Sequence, residues 1–196
     1  ARGVWGTYAD CVYPGRYIIE GGQTSTGSII AWYKRNFAPD ASYDELNAAA
    51  ATLPPGSEGL LALDHFQGNR TPHTDALARG AVTGLTLKHT RAHVYRALIE
   101  SICLGTRAIV DAFGTAFEAR RIVVAGGAVN APFWLQIHAD TLGIPLEVTE
   151  QPEAPCLGAA ILAAVGAGAY PDIDTACAAM VRTARVIKPD MDAHAA

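Results

Sequence analysis

The stretch Arg121-Ile122-Val123-Val124-Ala125 followed by Gly126-Gly127-Ala128 constrains this chain more than any other. A short aliphatic run ended by two glycines reads as a buried strand giving way to a turn. A helix is predicted near Pro132–Leu142, then a strand over Pro145–Thr149. Helices near Cys156–Ala167 and Asp174–Val181 follow, punctuated by Gly166, Gly168 and Pro171. Strand, helix, strand, helix with short connections predicts a parallel α/β sheet joined by right-handed crossovers.

Upstream, the pattern is looser. Residues 1–16 are rich in Gly, Tyr and Pro and read as a loop leading to a short strand, Tyr17–Glu20. Hydroxyls at Thr24, Ser25 and Thr26 precede a helix predicted from Gly27 to Asn36. Ser42, with Glu45 three residues on, signs the start of a second helix that Pro54-Pro55-Gly56 ends. Gly59–Leu63 and Ala81–Leu87 read as strands around a polar loop, 67–79. Thr90 then opens a long helix to about Phe117, with Val94, Leu98, Ile102, Ile109 and Phe113 at helical spacing.

Composition excludes several classes. The 196 residues are half hydrophobic and 17% charged, enough for a sizeable core in one domain. A formal net charge of -4 argues against nucleic-acid binding, which needs a basic surface to neutralise phosphates. Cys11, Cys103, Cys156 and Cys177 form no CxxC pair, and Cys103 and Cys177 lie in apolar helical runs. Buried, reduced thiols and a cytoplasmic location are the expectation. No run of about 18 apolar residues is available to span a bilayer, so no membrane partner is expected. The opening without Met reads like the middle of a protein, so the chain is expected to be a fragment.

The chemistry-bearing candidates are mostly glycines. Bare backbone at the carboxyl end of a buried strand lets a flat ring or a phosphate approach the main chain, and a following helix N-terminus favours an anion. Gly126 and Gly127 stand there, but the same pair also makes an ordinary tight turn. Asn130 is suited either to an adenine edge or to capping the helix near Pro132. Phe133, Trp134, Ile137 and Leu142 read as core. Gly21, Gly22, Gly27, Gly80 and Gly84 admit either close ligand approach or close packing. No GxxxxGK[ST], GxGxxG or GxSxG pattern occurs. His89 and His93 lie four apart without the HExxH glutamate and read as an exposed helix start. His65, His73, His138 and His194 read as surface or cap residues.

Three segments in order carry a family resemblance. They are Gly80-Ala81-Val82-Thr83-Gly84-Leu85, then His93-Val94, then Ala97-Leu98-Ile99-Glu100. Together with AGGAVNAPFWLQIHADTLGIPLEV and LGAAILAAVGAG, this order resembles the C-terminal domain of FGGY carbohydrate kinases. GVWG, PGRYIIEGGQTSTG and GNRTP are similar to the ribulokinase-like branch, which acts on pentuloses and related polyols.

The resemblance implies a ribonuclease H-like lobe of the actin/Hsp70/hexokinase type, a mixed sheet flanked by helices, spanning residues 1–196. It implies ATP bound between this lobe and an N-terminal sugar-binding lobe, with Mg²⁺ neutralising charge and an Asp accepting the hydroxyl proton. Gly27, Gly126, Gly127, Ala128 and Asn130 are then the expected nucleotide contacts. No catalytic residue and no metal ligand is expected in this chain. Ala31 and Ala131 stand where relatives often carry Gln and Asn or Ser. A non-catalytic nucleotide-binding or assembly module of the same superfamily is the alternative, and a homo-oligomer is compatible with either.

Overall fold

The computed structural model describes residues 3–114 and 119–195. The chain begins with a hairpin in which β1 (Trp5–Ala9) pairs antiparallel with β2 (Tyr17–Glu20). Composition alone reads β1 as loop. Its partner, rather than its own residues, makes it a strand. The connection turns at Asp10, whose carboxylate accepts a 2.6 Å hydrogen bond from the Gly15 N–H.

Two helices follow, α1 (Gly27–Phe37) and α2 (Tyr43–Ala51). The start of α2 is the capping box that the sequence signs. The Ser42 hydroxyl accepts from the Glu45 N–H at 3.2 Å, and the Glu45 carboxylate accepts from the Ser42 N–H at 2.8 Å. The Ser42 N–H, and the Ser42 hydroxyl donating at 2.9 Å, hold the Glu45 carboxyl below its ordinary range. Ser42→Ala is expected to lower stability by about 1 kcal/mol in urea titration. Unchanged stability would show that the box is ornamental.

A second hairpin joins β3 (Leu61–Leu63) to β4 (Ala81–Thr83). The strand predicted to Leu87 stops early because Gly84 turns to φ +87° with the Gly59 carbonyl pressed against it. The long helix α3 (Arg91–Ala112) has Thr90 at its N-cap and ends at Phe113. Its predicted extension over 115–117 lies outside the described residues.

The last third forms one three-stranded mixed sheet. β5 (Ile122–Val124) runs parallel to β6 (Leu146–Thr149), and β7 (Thr183–Ile187) joins β6 antiparallel. Helix α4 (Pro132–Leu142) makes the crossover between β5 and β6, as predicted. Helices α5 (Ala154–Gly166) and α6 (Ile173–Met180) follow. The sheet is mixed, as the resemblance implies: β7, in a stretch the sequence left unassigned, adds an antiparallel strand to the parallel β5–β6 pair that the spacing predicts. A short α7 (Met191–Ala195), also unassigned, closes against α4, with His194 Nδ1 2.7 Å from the Asp140 carbonyl.

Two apolar clusters hold these parts together. Ile29, Ile30, Tyr33, Leu46, Leu98, Ile99, Ile102 and Cys103 unite α1, α2 and α3. Val129, Leu135, Ala139, Leu142, Leu146 and Val148 join α4 to the sheet. Helix α4 serves both, because Ile137 belongs to the first cluster and Leu135, Ala139 and Leu142 to the second. That explains why it is apolar on most sides. Each fully buried Leu or Ile contributes roughly 1.5–3 kcal/mol of burial free energy.

The two ends of the chain also meet. Arg16 pairs with Asp174 at 3.1 Å, and Tyr13 Oη lies 3.0 Å from Cys177 Sγ. Cys103 is fully buried, and burial pushes its thiol well above the ordinary value. Cys11 and Cys156 are exposed, and all four cysteines are free thiols.

Candidate functional site

The turn after β5 has the geometry that the sequence promises, with one change. Gly126 sits at φ +83°, ψ -169°, a backbone that side-chain-bearing residues rarely adopt, and its N–H donates to the Pro152 carbonyl at 2.8 Å. Gly127 then opens a single 3-10 turn, Gly127–Asn130, before α4 starts at Pro132. The helix N-terminus is therefore one short turn further from the glycines than the sequence suggests. Ala131 is the N-cap of α4, with no side-chain cap bond, so Asn130 does not cap the helix. Its side chain lies on an exposed residue.

At α1 the start is similarly bare. Thr26 is the N-cap but its side chain makes no cap bond, and Gly27 is the first helical residue. Beside them Ser25 is buried, at 6% exposure, and its hydroxyl has no partner.

What separates these glycines from the others is what a side chain would meet. A Cβ at Gly21 would strike Ile109 and Phe113, one at Gly80 would strike the Phe66 ring, and one at Gly105 would strike Asp64 and Gln23. Those glycines are explained by packing. At Gly27 and Gly127 a Cβ would meet nothing within 4 Å, and neither has a positive φ. Only Gly158 and Gly166, in α5, share both properties among the described residues. Gly27 and Gly127 alone of these four begin a helical segment.

Two concavities flank these elements. One, of about 490 Å³, runs between α3, β3 and the α4–α7 contact, past Arg96, Glu100 and Leu104. The other, of about 410 Å³, follows β5 and includes Val110, Val124, Ala128 and His138. Of the five residues singled out by resemblance, Ala128 alone lines a concavity; Gly27, Gly126, Gly127 and Asn130 line neither.

A model described as the FGGY family of carbohydrate kinases, C-terminal domain, matches residues 1–167. The chain belongs to this family.

Among curated relatives, the ribulokinase of Mycolicibacterium smegmatis is 38% identical over 190 residues, covering 91% of this chain and 34% of that protein. A xylulose kinase structure from Rhodospirillum rubrum is similar at TM-score 0.78 and 36% identity, over 92% of this chain and 37% of that one. The structure of Plasmodium falciparum glycerol kinase with ADP is similar at TM-score 0.79 and 24% identity, over 91% of this chain and 36% of that one. That last likeness concerns fold alone. The chain thus spans about a third of the length of the kinases it matches. Strand β7 and helix α7 lie beyond the matched residues.

Within this FGGY domain several side chains differ from their sequence reading. His93 is buried, not exposed: its Nδ1 accepts from the Thr90 N–H at 3.1 Å, and its Nε2 lies 3.6 Å from Glu58. His65 is largely buried beside Asp64, at 3.0 Å. His138 is neither a surface nor a cap residue. Its Nε2 lies 3.1 Å from the Thr106 hydroxyl, its ring stacks on Trp134, and burial pushes its pKa down to about 4. Phe133 and Trp134 pack on the α1–α3 cluster, as predicted.

Among the described residues no group of three or more His, Cys, Asp or Glu side chains could hold a metal ion. The described residues therefore supply no cage of their own for Mg²⁺. Among the described residues no helix is long and apolar enough to cross a membrane.

Proposed function

We propose that this chain, residues 1–196, is the nucleotide-binding C-terminal lobe of an ATP-dependent sugar kinase. The parent enzyme would transfer the γ-phosphoryl of ATP to a hydroxyl of a pentulose or a related polyol. The bond from the γ-phosphorus to its bridging oxygen breaks and a bond to the sugar oxygen forms. The hydroxyl proton goes to a base that this reading does not place among these residues. Gly27, Gly126, Gly127, Ala128 and Asn130 are assigned to the nucleotide, and the sugar to an N-terminal lobe.

The open main chain at Gly127 carries this reading. Neither backbone conformation nor internal packing demands a glycine there, whereas a nucleoside laid against the turn does. The uncapped start of α1 offers N–H groups and a positive dipole end to an anion. The relatives support the substrate class, since several that cover most of this chain carry the names ribulokinase and xylulose kinase. Exposed apolar strand residues such as Tyr17, Leu61 and Val123 suit a chain that works against a second lobe.

Calorimetric titration with ADP tests the assignment. The chain is expected to bind ADP, and Gly127→Val to bind at least about tenfold more weakly. Thermal stability of the variant should stay close to the parent, because a Cβ at Gly127 meets nothing within 4 Å. Equal ADP affinity in the two proteins would remove the nucleotide from this turn.

A further inference from the structure

A hydrogen-bonded chain of side chains crosses the domain from the loop before α1 to α4, and nothing in the proposed chemistry uses it. Gln23 sits in the Gly21–Thr26 loop that leads into Gly27. Its amide nitrogen donates to Asp64 Oδ2 at 2.6 Å and to the Ile102 carbonyl of α3 at 2.9 Å. Both partners are acceptors, so the amide orientation is fixed: Oε1 faces the other way, 3.0 Å from the Thr106 hydroxyl. Thr106 in turn lies 3.1 Å from His138 Nε2 on α4. At the far end Asp64, 8% exposed, meets His65 at 3.0 Å.

The fold makes room for this chain deliberately. Gly105 is helical and has no positive φ, yet a Cβ there would collide with both the Asp64 carboxylate and the Gln23 amide. A helix interior that accepts a glycine loses about 1 kcal/mol relative to alanine. The loss is offset only if the groups that fill the space are needed where they are.

The elements so joined are those that carry the two bare turns. The loop reaches the rest of the protein through Gly22 N–H to Thr71 Oγ1 at 3.2 Å and Thr24 Oγ1 to the Gly68 carbonyl at 2.9 Å. Those contacts tie it to the 68–71 segment. Gln23 ties it to α3 and, through Thr106, to α4, whose own start follows Gly126 and Gly127 by one 3-10 turn.

We infer that Gln23 and Thr106 are positioning residues that hold the Gly27 and Gly127 turns in register with each other across α3. They touch no nucleotide themselves. Their effect on binding rests on the nucleotide reading above, while their effect on the loop does not.

Thr106 separates the hydroxyl from the bulk. Thr106→Val keeps the volume and removes the node, whereas Thr106→Ser keeps the hydroxyl and removes a methyl. Two-dimensional NMR of the ligand-free chain should show the amides of Gly22, Gln23 and Thr24 displaced in Thr106→Val and exchanging about fivefold faster. In Thr106→Ser they should stay at parent positions. ADP affinity should fall about fivefold in the valine variant and return in the serine variant. Undisturbed loop amides in Thr106→Val would overturn the inference, as would a serine variant that behaves like valine. If the parent chain binds no ADP, the nucleotide reading fails, and the loop amides still decide whether the network positions the turn.

Discussion

Arg96→Ala is expected to destabilise the chain by about 3–5 kcal/mol, a large share of the 5–15 kcal/mol typical of a domain. The Arg96 side chain on α3 is 9% exposed and pairs with Glu100, 14% exposed, at 2.7 Å. Its Nη1 also donates to the carbonyls of Ala50, at 3.1 Å, and Leu53, at 2.7 Å. Those carbonyls belong to the end of α2 and the turn after it; the Ala50 carbonyl also accepts from the Leu53 N–H at 3.2 Å. Glu100 meanwhile accepts from the Gly56 N–H at 3.1 Å and from Ser57 Oγ at 3.2 Å. One ion pair on α3 therefore satisfies both ends of the connection from α2 to β3.

The usual remedy for a broken buried pair is to replace both partners with apolar residues, which is often neutral. Here Arg96→Met with Glu100→Leu should not restore stability. The double change still orphans the Leu53 carbonyl and the buried Ser57 hydroxyl, each costing about 1–3 kcal/mol. Urea unfolding of the three proteins decides this. A double variant as stable as the parent would show that the pair serves only itself.

The second large effect concerns pH. Burial pushes the His138 pKa to about 4, against about 6.5 for a free histidine. The native state holds the ring neutral, while the unfolded chain protonates it as pH drops below about 6.5. The unfolded state then binds the extra proton, so its share of the equilibrium grows. His138 thus contributes full stability above pH 6.5. That contribution declines between about 6.5 and 4, by about 3 kcal/mol in total. His138→Gln, which cannot protonate, should flatten this segment of the stability curve. The difference between parent and variant isolates the histidine from the carboxylates that titrate in the same range. Parallel curves across that window would place His138 in water.

How far the sequence carried the reading varies by element. Ser42 and Glu45 were legible because a capping box is local, three residues from end to end. The order β5, α4, β6 was legible because aliphatic runs, glycines and helical spacing alternate over a few dozen residues. Strand β1 was not, since Gly6 interrupts its short run in a Gly- and Pro-rich stretch, and pairing with Ile18 and Ile19 makes it a strand. Strand β7 escaped for the same reason: Thr183–Ile187 is largely exposed and is held by its ladder to β6.

The family and the glycine candidates were likewise visible from the order of short motifs. The comparisons bear out the family. Which glycines face open space was not visible, because Gly21 and Gly127 look alike on paper. One is filled by Ile109 and Phe113, and the other faces open space.

The sequence alone determined the succession of helices and strands apart from β1, β7 and α7, the capped and broken points, and membership of the kinase family. These follow from spacing along the chain, where each residue's neighbours are known. Tertiary structure decided which way β7 runs, that Arg96 and His93 are buried and His138 largely so, and how Gln23 reaches Thr106, 83 positions away. A polar group's burial depends on partners that only folding brings near. The one-dimensional pattern carries no distance between them.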